Sequence, residues 1–192
     1  MLRTLGVGTA SLPWLRVSAA PTQPREAMAF TTTPVLPMAV WYGGGKARAP
    51  MVERGARPKK DAWRDDVRQI RDLGFNTLRA WIDWASGEPE EGRYELETLE
   101  VLLELAEEHG LRLLLQVYMD SAPAWVGVKH PDALFVSSNG QAIVPESSPG
   151  YCRDHRGVRD ADVAFYAALA ARARQSPAFL GWDLWSEPHV IN

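Results

Sequence analysis

Hydrophobic positions follow two alternating spacings from residue 35 onward. Four short apolar runs are rich in β-branched and aromatic residues, the composition of buried strands. Between them, apolar residues recur every three or four positions, as on one face of an amphipathic helix. The predicted strands are Val35–Tyr42, Phe75–Trp81, Leu111–Tyr118 and Phe179–Trp185.

The helices carry start and stop signals as well as apolar stripes. Asp61 is a suitable N-cap for the first helix, while Gly74 and Gly110 follow the first and second helices where a left-handed backbone conformation is needed. The third helix opens at Asp160 or Asp162 and ends before Pro177. The predicted stripes are Trp63, Val67 and Ile70; Leu96, Leu99, Leu103 and Ala106; and Val163, Tyr166 and Ala170.

The resulting order, β-α-β-α-β-α-β, predicts an α/β fold with a parallel sheet and right-handed crossovers. A doubly wound sheet and a (β/α)8 TIM barrel both fit this order. No Gly-x-Gly-x-x-Gly turn follows the first strand, which disfavours a dinucleotide-binding sheet. Aromatic and carboxylate side chains instead follow every strand, where a barrel builds its active site. We therefore predict a TIM barrel of which the first four βα units are present, interrupted by an irregular segment at Met119–Arg159.

The domain boundary is predicted near residue 34. Residues 1–34 contain Pro21, Pro24 and Pro34 and are predicted to be an N-terminal extension with a linker, and residues 35–192 the barrel half. Met1–Ala20 has an early Arg, an apolar middle and small residues at its end, the order found in a secretory signal. Two interpretations stay open: a remnant of an export signal, or the extension of a cytoplasmic protein.

Composition excludes several function classes. A net charge of −3 over 192 residues gives no basic field for nucleic acid or for an anionic membrane. No run approaches the ~18 apolar residues of a membrane span. The lone Cys152 excludes an internal disulfide, and its cluster with Asp154 and His155 is too small to predict a metal site. No cofactor is predicted. The 8 tryptophans are unusual, because a flat apolar indole suits stacking on a ligand ring as well as core packing.

One carboxylate stands out at the end of the fourth strand, in the sequence GWDLWSEPH at 181–189. A carboxyl group just past a barrel strand and among aromatic rings loses solvation of its charged form, which raises its pKa. A glycosidase general acid needs that property in order to hold a proton near neutral pH. Glu187 is therefore the candidate acid, and the alternative is a surface Glu before a proline turn.

This strand-four sequence resembles the acid/base motif of clan A glycoside hydrolases. Three earlier segments resemble family 42 of that clan, the β-galactosidase type, and occur in the family order. They match its G-x-N-x-x-R strand, its W-x-x-x-E-P-x-x-G-x-Y loop and its P-x-W…P-x-x-L segment. The resemblance covers Val35 to His189 and is carried by Leu73–Arg79, Trp84–Tyr94, Ala122–Trp125 and His130–Leu134.

The resemblance implies a role for each matching residue. Glu187 would be the acid/base and Arg79 would hold the nucleophile, which the family places after strand seven and this chain does not contain. Ser186 stands where the family has Asn, and the cysteine cluster that binds zinc in some members is absent, so no metal is carried over. The implied substrate-binding residues are Arg79, Trp81, Trp84, Glu88, Tyr118, Trp125, Trp185 and Ser186.

The predicted activity is that of a retaining glycoside hydrolase on β-linked galactosides or related oligosaccharides, with this chain inactive by itself. A β-mannanase or endoglucanase of family 5 is one alternative. A non-catalytic carbohydrate-binding half-barrel is another. A half-barrel has two open sheet edges, so we expect it to form oligomers or to associate with a C-terminal half.

Overall fold

The computed structural model describes residues 36–44, 55–143 and 150–184. The predicted extension at 1–34 and the predicted site residues Trp185, Ser186 and Glu187 lie outside them. Four strands and five helices occur in the described residues: β1 (Ala39–Trp41), α1 (Ala56–Asp72), β2 (Thr77–Asp83), α2 (Trp84–Gly87), α3 (Glu97–Glu108), β3 (Arg112–Tyr118), α4 (Ala124–Lys129), α5 (Arg156–Ala173) and β4 (Phe179–Asp183).

The strands form one parallel sheet in the order β1-β2-β3-β4. Ala39 pairs with Thr77 and Thr77 with Arg112, and a register shift follows Leu113 where β4 joins. Each strand therefore lies beside its successor, with no reversal of strand order of the kind that a doubly wound sheet has at its switch point. The parallel α/β prediction and its strand order are confirmed.

The core lies between the sheet and its helices. Leu78 and Ala80 of β2 are fully buried on the side facing the helices. Arg79 and Trp81, which alternate with them along the strand, point to the opposite side and are only partly buried. This alternation follows from the two-residue period of a strand. It gives the sheet one apolar, helix-covered face and one face with polar and aromatic side chains, which is where a barrel has its interior.

Two predicted helix starts are wrong. Helix α1 begins at Ala56 after Gly55, whose positive φ of 70° sets the entry turn, and not at Asp61. Pro58 in the first turn is compatible with this start because the first amides of a helix need no intrahelical partner. Helix α5 begins at Arg156, where His155 Nδ1 accepts a hydrogen bond from the Val158 amide, in place of the predicted Asp cap.

Two segments predicted as irregular contain short helices. The loop after β2 begins with the single turn α2, capped by Asp83, whose carboxylate accepts from the Ser86 amide. The segment after β3 contains α4, which starts after Pro123. Helices this short have too few apolar positions to show a helical period, so the sequence pattern did not reveal them. Within the described residues, no helix has both the length and the apolarity to cross a membrane.

Candidate functional site

Three aromatic rings from neighbouring strands form a row on the face of the sheet opposite the helices. The ring centroids of Trp41 and Trp81 are 5.8 Å apart, and those of Trp81 and Tyr118 are 5.6 Å apart with nearly parallel planes. We call these three residues the aromatic shelf. Trp41 is 37% exposed, and the other two rings are half-buried, so the row is accessible to a ligand. Trp41 and Tyr118 are the last residues of their strands, which places the shelf toward the carboxyl ends of the sheet.

A charged network lies beside the shelf on the same face. Arg79 donates from Nε and Nη2 to Oδ2 of Asp183, at 2.9 and 2.7 Å, and from Nη2 to Oε1 of Gln116 at 2.8 Å. Its guanidinium carbon is also 5.7 Å from the centre of the Trp81 ring. Because Arg presents a planar fork with fixed donors, these contacts hold its orientation firmly. The network thus links β2, β3 and β4 next to an aromatic surface.

Trp84 and Glu88, both predicted to bind substrate, are buried on the other side of β2. Trp84 is 1% exposed, and its indole N–H donates to Glu88 Oε2 at 2.9 Å. Glu88 is 2% exposed, and its Oε1 accepts from the Gly92 amide. Neither side chain has a surface on which a sugar could lie, so both have structural roles in the core and in the loop after β2.

Trp125 lies with this buried pair and not with the shelf. Its ring meets Trp84 edge-on at 6.3 Å, and its indole N–H donates to the Glu88 carbonyl oxygen at 3.0 Å. Trp125 is half-buried, so part of its ring remains available. The structure thus brings together three of the predicted site residues, Arg79, Trp81 and Tyr118, and places Trp84, Glu88 and Trp125 in a separate group.

Two polar residues of the network were not predicted as site residues. Gln116 lies inside the continuous apolar run of the third predicted strand, and Asp183 belongs to the strand-four motif, which assigns it no role. A polar residue inside an apolar run is the sequence signal for Gln116. For Asp183, the signal is a carboxylate inside a strand motif that is otherwise largely apolar and aromatic.

A second ionic group lies where the chain leaves β3. Arg153 Nη2 is 2.8 Å from Asp120 Oδ1, and Arg153 Nε is 3.8 Å from Asp162 Oδ2. Burial raises the pKa of the Asp162 carboxyl to about 7, although the positive charge of Arg153 acts in the opposite direction. Burial also raises the pKa of Tyr166, one turn further along α5, to about 12, with further contributions from the negative charges of Asp162 and Asp183.

The described residues offer no metal centre, and a cavity among them lies apart from the shelf. Among them, no three His, Cys, Asp or Glu side chains are close enough to hold a metal ion. A cavity of about 440 Å³ is lined by the end of β2, by α2 and by the start of α3, including Ile82 and Leu99. No shelf residue lines it. We therefore take the shelf and the Arg79 network as the candidate site.

Comparison with known proteins identifies the family. Residues 55–191 match the model of glycoside hydrolase family 42, which is described as Beta-galactosidase. The chain belongs to this family. The matched residues include all of β2, β3 and β4 and the strand-four motif with Glu187, so the resemblance found in the motifs is confirmed.

Curated family 42 relatives are distant in sequence and much longer. The chain is 27% identical over 129 residues to the β-galactosidase LacZ of Heyndrickxia coagulans, an alignment covering 67% of this chain and 19% of that protein. It is 29% identical over 128 residues to the β-galactosidase BglY of Alicyclobacillus acidocaldarius, covering 66% and 19%. The chain thus spans about a fifth of the length of these relatives.

Solved structures of family 42 have the same fold in the aligned part. A catalytic mutant of Gan42B, a GH42 β-galactosidase from G. stearothermophilus, aligns with a TM-score of 0.60 at 26% identity, covering 68% of this chain and 19% of that one. The β-galactosidase of the psychrophilic Marinomonas ef1 aligns with a TM-score of 0.64 at 21% identity, covering 80% and 22%. The four parallel strands are therefore part of an α/β barrel, as predicted.

Proposed function

We propose that this chain supplies the acid/base side of a retaining glycoside hydrolase that cleaves O-glycosidic bonds of β-linked galactosides. The observation that carries the proposal is the aromatic shelf lying against the Arg79–Asp183–Gln116 network toward the carboxyl ends of parallel strands. Active sites of barrel enzymes are built at that end. The description of family 42 as β-galactosidase gives the substrate class.

The two parts of the site suit the two sides of a sugar ring. A galactose ring has one face of C–H groups, and this face stacks on indole and phenol rings. Its hydroxyl groups need donors and acceptors in fixed places, because a loosely held polar group gives little orientation to a ligand. Gln116 and Asp183 provide acceptors held by Arg79, while Trp81 and Tyr118 provide the stacking surface.

Glu187 is the proposed acid/base. Glu187 follows Asp183 by four positions in the strand-four motif. Residues at even spacing along an extended chain point to the same face. The Glu187 carboxyl group would protonate the glycosidic oxygen in the first step and would activate water in the second. The nucleophilic carboxylate, roughly 5 Å away in retaining enzymes, would come from a strand outside this chain.

The proposed substrate-binding set differs from the sequence-based one. Arg79, Trp81 and Tyr118 remain in it, and Trp41, Gln116 and Asp183 are added. Trp185 and Ser186 remain proposals on the strength of the strand-four motif alone, and Trp125 remains as an outer contact. Trp84 and Glu88 are removed because both are buried.

One observation favours an alternative without catalysis. The resemblance implies that Arg79 holds the nucleophile. In this structure, however, Arg79 Nε and Nη2 donate to Asp183, and Nη2 also donates to Gln116. A carbohydrate-binding half-barrel would use this network only to orient a sugar. The two proposals differ in whether the protein breaks the glycosidic bond. A family 5 activity differs instead in preferring mannosides or glucosides.

The test uses a protein in which this chain is joined to the remaining barrel strands. Hydrolysis of aryl β-galactosides with good and poor leaving groups is compared between wild type, Glu187→Gln and Glu90→Gln, a control with a 72% exposed side chain. Glu187→Gln should lower kcat/KM by about 10²–10⁴-fold for the poor leaving group and much less for the good one, because only the former needs a proton. Glu90→Gln should match wild type.

Each other outcome identifies a different error. An equal loss on both leaving groups would contradict the acid role of Glu187. Galactose binding without any hydrolysis, unchanged by Glu187→Gln, would support the carbohydrate-binding alternative. Faster cleavage of aryl mannosides or glucosides than of galactosides would support the family 5 alternative and contradict the galactoside proposal.

The location of the protein is a separate proposal. The order of charged, apolar and small residues in Met1–Ala20 favours export, and a cytoplasmic protein with an N-terminal extension is the alternative. N-terminal sequencing of the protein isolated from its native cells distinguishes them. A start after Ala20 would support export, and an intact Met1 would contradict it.

A further inference from the structure

A partly buried arginine connects two carboxylates from different elements near the candidate site. Arg153, in the connection before α5, contacts Asp120 just after β3 and Asp162 in the second turn of α5. The side chains of Arg153, Asp120 and Asp162 are 24%, 8% and 12% exposed. Ions this deeply buried are costly to desolvate unless they are paired. The three groups therefore depend on one another.

This group fixes the point where the chain leaves the sheet. Asp120 follows Tyr118, the last residue of β3 and a member of the aromatic shelf, by two residues. The incoming connection presses against the same point, since a Cβ on Gly150 would lie 2.6 Å from the Asp120 carbonyl oxygen. Gly150 also has a φ of +74°, a conformation that other residues rarely adopt. Residues 150–153 thus fit against Asp120 in one arrangement.

We propose that Arg153 is a positioning residue for the carbohydrate site, and that the charge of Asp162 controls how firmly Arg153 holds Asp120. This inference rests on the proposed function, because the part of the site that it positions is Tyr118. With Asp162 ionised, Arg153 is shared between two anions, and its hold on Asp120 is weaker. With Asp162 neutral, Arg153 pairs with Asp120 as its anionic partner, and the end of β3 is held more firmly.

The surroundings of Asp162 set the pH at which this change occurs. Its Oδ1 atom is buried and has no hydrogen-bond partner among the described residues. Arg153 approaches the Asp162 carboxylate directly, and Asp120 faces it across Arg153. Tyr166 on the same helix interacts electrostatically with Asp162, and Asp183 on β4 interacts with Tyr166. Burial outweighs the attraction of Arg153 and brings the pKa of Asp162 to about 7. The hold of Arg153 on Asp120 therefore weakens as the pH rises through neutrality.

Hydrogen exchange measures this positioning directly. The full chain is compared at pH 6 and pH 8 by mass spectrometry of a peptide covering residues 118–122, with rates corrected for intrinsic chemical exchange. The variants are Arg153→Gln, Asp162→Asn and the control Arg156→Gln, whose side chain is 86% exposed on the first turn of α5. Galactose affinity is measured on the same four proteins at both pH values.

The expected result is a pH step that depends on Arg153 and Asp162. Wild type and Arg156→Gln should exchange on the order of tenfold faster at pH 8 than at pH 6, because an ionised Asp162 competes with the one charge-assisted hydrogen bond from Arg153 to Asp120. Asp162→Asn should show no step, and Arg153→Gln should exchange fast at both pH values. Galactose binding should weaken by a similar factor in Arg153→Gln.

Two results would overturn the inference. The first is unchanged exchange at residues 118–122 in Arg153→Gln, and the second is a pH step that persists in Asp162→Asn. A failure of the proposed function is recognised separately. If wild type binds no galactose while the exchange step follows the expected pattern, the carbohydrate site is wrong and the control of the β3 exit by Arg153 and Asp162 is supported.

Discussion

At the residue scale, the tryptophans near the strand ends have two different surroundings. Trp41 and Trp81 lie on the face opposite the helices and keep part of their rings exposed. Trp84 is enclosed by Phe165 at 6.3 Å and by Trp125, and its N–H is bound to a buried carboxylate. The same residue type is thus partly exposed in one place and part of the core in another. The side of the sheet on which the residue lies decides between the two.

Asp162 gives a prediction for stability against pH. Its pKa in the folded protein, about 7, lies above the ordinary value of 3.8, so the folded state holds a proton that the unfolded state loses first. Stability from this group is complete below pH 4 and is lost as the pH rises to 7. Relative to Asp162→Asn, wild type should lose up to about 4 kcal/mol of unfolding free energy across that interval. Urea unfolding between pH 4 and 8 measures the difference.

The control for this prediction is Asp160→Asn on the same helix. The Asp160 side chain is 69% exposed, so it should show little pH dependence relative to wild type. If Asp162→Asn and Asp160→Asn give the same pH profile, then the Asp162 carboxyl is not protonated in the folded state near neutrality. That outcome would also weaken the inferred role of Asp162 in controlling Arg153.

At the element scale, the loop after β2 is organised around the buried Glu88. Its two carboxylate oxygens accept from Trp84 and from the Gly92 amide, and its carbonyl oxygen accepts from Trp125. One residue therefore connects the end of β2, the turn at Gly92 and helix α4. Gly92 has a φ of 76°, which suits a glycine in this turn.

Glu88→Gln should destabilise the protein although it preserves the shape of the side chain. Both carboxylate oxygens accept hydrogen bonds, and a glutamine would turn its NH₂ group toward one of these two donors. The expected loss is about 1–3 kcal/mol of unfolding free energy, the cost of leaving a buried donor unsatisfied. Chemical denaturation measures it, with the exposed Glu90→Gln as control. Equal stability of both variants would show that Glu88 does not hold the loop.

The sequence predicted the strands and helices more accurately than the contacts between side chains. Apolar runs identified β2, β3 and β4, because parallel strands buried on both faces carry nearly continuous hydrophobic residues, and motif order identified the family. The sequence did not reveal the burial of Trp84 and Glu88, because their position in a family loop says nothing about whether they face solvent. It also missed Asp183, because its partner Arg79 is far away in sequence and pairing across three strands has no local pattern.

At the scale of the whole molecule, the described sheet has two edges, β1 and β4. A closed barrel has no edges, and exposed edges with apolar neighbours tend to pair with other chains. Met38 beside β1 is 55% exposed, and Leu180 and Leu184 at β4 are 39% and 69% exposed. These side chains lie where the remaining strands of a family 42 barrel would join.

This surface predicts that the chain by itself associates. In sedimentation velocity, its mean sedimentation coefficient should rise with protein concentration, because uncovered strand edges pair with each other. The same chain joined to the remaining barrel strands should lose that concentration dependence. A single monomeric species over the whole concentration range would contradict the presence of open edges.

The central claim is that the aromatic shelf binds sugar, and fluorine NMR of the full chain labelled with 5-fluorotryptophan tests it most directly. Each of the 8 tryptophans should give its own signal. The signal lost in Trp81→Phe belongs to Trp81, and the signal lost in Trp84→Phe belongs to Trp84. Added galactose should shift the Trp81 signal and leave the Trp84 signal in place, because Trp81 is partly exposed on the shelf whereas Trp84 is 1% exposed. A shift at Trp84 without one at Trp81, or no shift at either up to saturating galactose, would contradict the account.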